Sequence, residues 1–102
     1  MSFDELTVKV FKALGHPVRY KIMKDLCNGP KCACKLNEDI NFSQANLSQH
    51  LKILKEAGLV KNEKVGLEVQ YRLYNEDVKE IVGSVEKYAL NYISNIKKSS
   101  LV

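Results

Sequence analysis

Residues 30–60 read PKCACKLNEDINFSQANLSQHLKILKEAGLV, and this stretch decides the fold. Its second half carries a helix start and a helix stop. Ser43 is a good N-cap, because its hydroxyl can accept a hydrogen bond from an unpaired N–H of the first turn. Phe42 just before it and Leu47 four residues inside form the apolar pair of a hydrophobic staple. At the far end Gly58 suits the left-handed position that closes a helix, and Leu54 and Leu59 have the spacing of a Schellman ending. A helix is therefore expected over 44–57. Ahead of it a shorter one is expected over roughly 32–39, carrying Leu36 and Ile40 inward, with Asn41 and Phe42 as the link. Two short helices joined by a tight turn form a helix-turn-helix.

The flanks enlarge this unit. Ser2 with Glu5 is a capping-box pattern, and Leu6, Val10, Phe11 and Leu14 follow at helical spacing up to a Gly15 C-cap. Pro17 sits where the first turn of a second helix tolerates it; Val18, Ile22 and Leu26 mark its buried face, and Asn28, Gly29 and Pro30 stop it. After the helix-turn-helix, 60–64 reads as a strand, Val65 and Gly66 as a turn, and LEVQYRLY (67–74) as a second strand with Leu67, Val69, Tyr71 and Leu73 on one side. A hairpin in that place is a wing. The expected fold is thus mainly α: one winged helix-turn-helix domain over 1–102, with five helices and a two-stranded β-hairpin wing.

The last helix, from an Asn75 cap to about residue 97, carries a stripe of Val78, Ile81, Val82, Val85, Ala89, Tyr92, Ile93 and Ile96. Such a helix spans roughly 30 Å, more than a small wing and two scaffold helices can cover. It is expected to pair with the first helix and with its own counterpart in a twofold homodimer.

Composition bounds the partner. A net charge of +4 and a pI near 9.0 favour an anionic one. Only Arg19 and Arg72 of the 16 basic residues are arginine, so bidentate guanine readout is mostly unavailable. No apolar run reaches the roughly 20 residues of a membrane span, and MSFDELTVKV is unlike a signal peptide. A cytoplasmic protein is expected, without a membrane partner. In that reducing setting Cys27, Cys32 and Cys34 read as metal-binding or redox-active rather than as a disulfide framework.

On a wheel of about 100° per residue, Leu47, Leu51 and Leu54 define the buried side of the 44–57 helix. Ala45, Gln49 and Lys52 point away from it, with Gln44 and Ser48 on one flank and Asn46 and His50 on the other. Short amides and hydroxyls suit base edges and phosphates, and Lys52, Lys55 and Lys64 suit phosphates. The candidate DNA-binding residues are Gln44, Ala45, Asn46, Ser48, Gln49, His50, Lys52 and Lys64. His50 on its flank serves equally well as a packed histidine.

LGHPVR (14–19), CACKL (32–36), SQANLSQHL (43–51) and KEAGLV (55–60) together resemble the ArsR/SmtB family of metal-responsive repressors over nearly the whole chain. That resemblance implies a dimeric winged helix on double-stranded DNA with palindromic half-sites. It also implies repression relieved by metal, with Gln44, Ser48 and Gln49 as the chief base-contacting positions. The Cys-x-Cys pair is similar to the inducer site of arsenic-type members, although Lys31 and Lys35 stand where acidic neighbours are usual and Asn37 where a third thiol often falls. The N-terminal cysteines of lead-cadmium types are absent, and the last helix has no His for a zinc-type site.

Cys27, five residues before Cys32 across a Gly-Pro turn, is the candidate third ligand, against a role as a small core residue. Three thiolates suit As(III) or Sb(III), with Cd and Pb as the alternative, and no cofactor is needed for DNA binding itself. The lysines and a helix N-terminus are expected to favour thiolate. Residues two apart on a helix point about 200° apart, so chelation by Cys32 and Cys34 should unwind the first turn of their helix. Redox sensing through a disulfide from Cys27 to Cys32 or Cys34 is the alternative regulator. A metal carrier also fits the thiols, whereas a thiol enzyme lacks a Cys-x-x-Cys, a neighbouring base and a phosphate loop, so no catalytic residue is expected.

Overall fold

The computed structural model describes residues 1–40 and 44–100. Its order is α1 (Phe3–Leu14), α2 (Pro17–Leu26), β1 (Lys31–Cys32), α3 (Ala33–Ile40), α4 (Gln44–Glu56), β2 (Val60–Val65), β3 (Glu68–Leu73) and α5 (Glu76–Ser100). The sheet is antiparallel in the order β1-β3-β2. Five helices were expected and are found. The expected two-stranded hairpin wing is β2 with β3, and a third strand joins its sheet, because Lys31 and Cys32 pair with Tyr71 and Gln70. Two residues give no periodicity to read, and their partner lies far along the chain.

Local signals set most boundaries. The Glu5 N–H donates to Ser2 Oγ at 3.1 Å, capping α1, and the Val78 N–H donates to Asn75 Oδ1 at 3.3 Å, capping α5. Gly58 closes α4 at φ +74, with the Leu59 N–H on the Leu54 carbonyl at 3.0 Å and the Gly58 N–H on that of Lys55 at 3.0 Å. That pair of bonds is the Schellman ending. The wing turns one residue later than expected, through Gly66 and Leu67, since Val65 pairs with Glu68. Gly66 supplies the positive φ that a two-residue hairpin needs.

The core joins Ala13, Ile22, Met23, Leu26, Leu36, Leu47, Leu51, Leu54, Leu59 and Val60 to Val78 and Val82 of α5. Only the start of α5 enters it. Beyond Val82 the helix is held by Glu86, which accepts from the Tyr20 hydroxyl and pairs with Lys24 at 2.8 Å. Farther on, Val85, Tyr88, Tyr92, Ile93 and Ile96 are exposed, as are Phe3, Leu6, Val8 and Phe11 of α1. The radius of gyration of 15.7 Å exceeds the roughly 13 Å usual for 100 residues, because α5 runs out past the core. No helix among the described residues is long and apolar enough to cross a membrane.

Candidate nucleic-acid interface and thiol cluster

Leu47, Leu51 and Leu54 are buried along one side of α4, as the wheel requires. That fixes the opposite side, where Asn46, Ser48, Gln49, Lys52 and Lys55 are exposed. The Ser43 cap, the Phe42 staple and the side chains of Gln44 and Ala45 lie outside the described residues. Between α4 and the wing runs a cleft of about 210 Å³ lined by Ser48, Lys52, Lys55, Asn62 and Tyr71. Lys64 is exposed on β2, and the Lys61 ammonium sits 5.0 Å from the Tyr74 ring centre. Amides and hydroxyls on a helix flanked by lysines can meet base edges and phosphates together.

His50 turns elsewhere. It is half-buried, its Nδ1 lies 3.2 Å from Arg19 Nη1, and its ring stands 4.5 Å from that of His16. Burial, then the charges of His16 and Arg19, hold its pKa below the usual histidine value. Arg19 also donates from Nε to the Ala13 carbonyl at 2.6 Å and from Nη2 to that of Lys12 at 3.2 Å. His16 caps α2 by accepting the Val18 N–H on Nδ1 at 3.1 Å. The stretch LGHPVR thus bolts the end of α1 and the start of α2 to α4. Of the two roles expected for His50, the structure shows the packed one, against Arg19 and His16.

The thiols depart further from expectation. Cys32 is a strand residue and Cys34 the second residue of α3; their sulfurs form a disulfide with a Cα–Cα distance of 5.4 Å. The strand-to-helix corner brings both sulfurs together, so the helix geometry that kept them about 200° apart does not apply. No unwinding is needed. The Lys35 N–H donates to Cys32 Sγ at 3.3 Å, which makes that sulfur a cap of α3. Lys31 is committed to Asp25 and, at 3.0 Å, to Asp39, while Lys35 faces Asp39 at 3.4 Å. The neighbouring Asp25, and then the Lys31 ammonium, hold the Asp39 carboxyl down at about 2. The flanking lysines therefore anchor β1 and α3 rather than serve the sulfurs.

Cys27 caps the C-terminus of α2, half-buried against the core, and is the one free cysteine. It lines a separate hollow of about 440 Å³ with Lys61, Arg72 and Lys79. Burial pushes its thiol up, against the pull of Lys79 and Lys24. Among the described residues, the metal-donor atoms that lie together, within 4.8 Å of one another, are those of Cys32, Cys34 and Glu68. Two sulfurs and a carboxylate oxygen fit a soft or borderline metal ion once the sulfurs are reduced. Cys27 is not of that group, and the disulfide expected from it joins Cys32 to Cys34 instead.

Residues 16–62, from the α2 cap into β2, match the family described as bacterial regulatory protein, arsR family. An arsenical resistance operon repressor of Staphylococcus xylosus is 41% identical over 76 residues, 74% of this chain and 72% of the relative. The chain belongs to the ArsR family. A cadmium resistance regulatory protein homologue of Staphylococcus aureus is 43% identical over 75 residues, 72% of this chain and 62% of its own. Among solved structures, a homodimeric winged helix-turn-helix DNA-binding domain from Mycobacterium bovis superposes with a TM-score of 0.85 at 25% identity, covering 89% of this chain and 84% of that one. This ArsR-family chain is accordingly a winged-helix DNA-binding transcriptional repressor and not an enzyme.

Within the family frame, two features escaped the sequence reading. Arg19 and His16 were visible only as motif letters, since nothing local tells that they reach α4. Glu68 stands in the sequence only as one position of the strand LEVQYRLY. Its proximity to the thiols follows from β1, whose pairing of Cys32 with Gln70 sets that sulfur two residues from Glu68 along β3. No periodicity signal could have found it.

Proposed function

We propose that this chain represses an operator bound by a homodimer in the cytoplasm, and that a soft metal(loid) ion held by Cys32 and Cys34 releases it. The observation that carries this reading is the meeting of the two sulfurs at the start of α3, the helix that leads into α4. Trivalent arsenic or antimony is the ion class that thiolates alone favour, with cadmium and lead as the alternative. The ion's release of DNA requires a coupling on the order of 1–3 kcal/mol between the sites. Asn46, Ser48 and Gln49, with Gln44 and Ala45 before them, meet bases in the major groove, and Lys52 and Lys64 meet phosphates. The exposed apolar faces of α1 and α5 supply the dimer contact, consistent with the homodimeric Mycobacterium bovis relative.

The test is anisotropy of a duplex selected from a random library, with reduced protein titrated by arsenite, antimonite, cadmium, lead and zinc. Release by one or more of these ions, lost in Cys32→Ser/Cys34→Ser but kept in Cys27→Ser, is the expected pattern. Release that survives in the double variant would refute the site; release lost in Cys27→Ser would restore that thiol as a ligand.

The disulfide favours a second reading, thiol redox sensing. Two thiols and one peroxide give a disulfide and two waters, with both electrons and both protons passing to the peroxide. Mass spectrometry of alkylated peptides should then find Cys32 and Cys34 linked and Cys27 free, with DNA affinity changed reversibly by a dithiol.

A further inference from the structure

The geometry points to Glu68, on the wing strand β3, as the third ligand that closes the Cys32–Cys34 pair over a divalent ion. This rests on the thiolate reading above and adds to it a residue, an ion class and a mechanical link. Three facts converge on it. The Glu68 carboxylate and the two sulfurs have donor atoms within 4.8 Å of one another. β1 pairs Cys32 with Gln70, two residues from Glu68 on the same strand, and the strand-to-helix corner brings Cys34 back to Cys32. Gln70 Nε2 donates to Glu68 Oε1 at 3.2 Å, which orients the carboxylate and leaves its other oxygen for an ion.

The ion enters the reduced chain. The disulfide takes two electrons and two protons from a dithiol donor, which closes its own disulfide, and each cysteine gives up its proton on binding. Two thiolates and one carboxylate form a mixed donor set. Borderline divalent ions such as cadmium, lead or zinc accept sulfur and oxygen together, whereas trivalent arsenic gains most from a third sulfur. Glu68 therefore shifts preference toward the divalent ions. It also ties the wing to the start of α3, so a bound ion holds together the two parts of the fold that flank the reading helix.

The test titrates reduced, desalted full-length chain with cadmium and with arsenite under anaerobic conditions, following the sulfur-to-metal absorption band against a competing chelator. Wild type is compared with Glu68→Gln and with Cys32→Ser/Cys34→Ser, and circular dichroism checks that each is folded. Loss of an outer-sphere partner alone costs about 10–100-fold in metal affinity, so removing a ligand in Glu68→Gln should weaken cadmium by at least about tenfold. Arsenite should change by less than about twofold, since its two bonds to sulfur remain. Equal cadmium affinity in wild type and Glu68→Gln, with binding lost in the double cysteine variant, overturns the role of Glu68 and leaves the thiolate site intact. Binding undiminished in the double cysteine variant overturns both.

Discussion

The DNA-reading helix and the thiol corner lie a few residues apart in sequence, yet they are built by different kinds of interaction. The end of α4 is set within a handful of residues: Gly58 turns the chain, and the Leu59 N–H closes on Leu54. The thiol corner depends on a two-residue strand whose partners, Gln70 and Tyr71, follow it only after all of α3, α4 and β2. Local order can be read from side-chain spacing because helix bonds join near neighbours. Sheet order cannot, because its partners are distant and its register is settled by the whole fold. The contrast implies that the two regions can be damaged separately.

The largest effect should come from the face they share. Leu54 is fully buried, and Leu54→Ala should cost about 2–5 kcal/mol in urea unfolding, lowering DNA and metal binding together. Next, Gln49→Ala should cost about 1–3 kcal/mol of binding to the selected duplex with an unchanged Tm, if that amide reads a base. Lys52→Gln should instead weaken all duplexes alike and reduce the salt slope by about one. Gly58→Ala forces a side chain into the left-handed region at φ +74 and should cost about 1–2 kcal/mol by thermal unfolding, with metal affinity retained.

Lys31→Ala addresses the other side of the comparison. It leaves Asp25 without its cation and Asp39 with Lys35 alone, so β1 should loosen and cadmium affinity fall. DNA affinity of the metal-free protein should hardly move. A parallel loss of DNA affinity in this variant would mean that the corner and the reading helix are one unit after all.

The smallest effect is pH dependence through His50. Its folded pKa lies below the ordinary 6.5, so below that pH the unfolded chain takes up a proton that the native state holds off. Stability from this group is complete above 6.5 and declines as pH falls toward the folded value. Tm should therefore drop more between pH 7.5 and 5.5 in the wild type than in His50→Gln. An identical drop in both would remove His50 from the packing role assigned to it beside Arg19.

Residue order and spacing alone specify the five helices, the capping by Ser2 and Asn75, the buried row Leu47, Leu51 and Leu54, and therefore the outward face of α4. They also carry the family in the motif strings. Each of these depends on bonds or contacts within a few residues, where identity and spacing suffice. Long-range packing makes Cys32 a strand residue, turns the flanking lysines to Asp25 and Asp39, sets Cys27 against the core and packs His50 on Arg19. It alone brings Glu68 to the two sulfurs. Those outcomes depend on which surfaces meet after the chain has closed on itself, and no spacing along 30–60 encodes where β3 will lie.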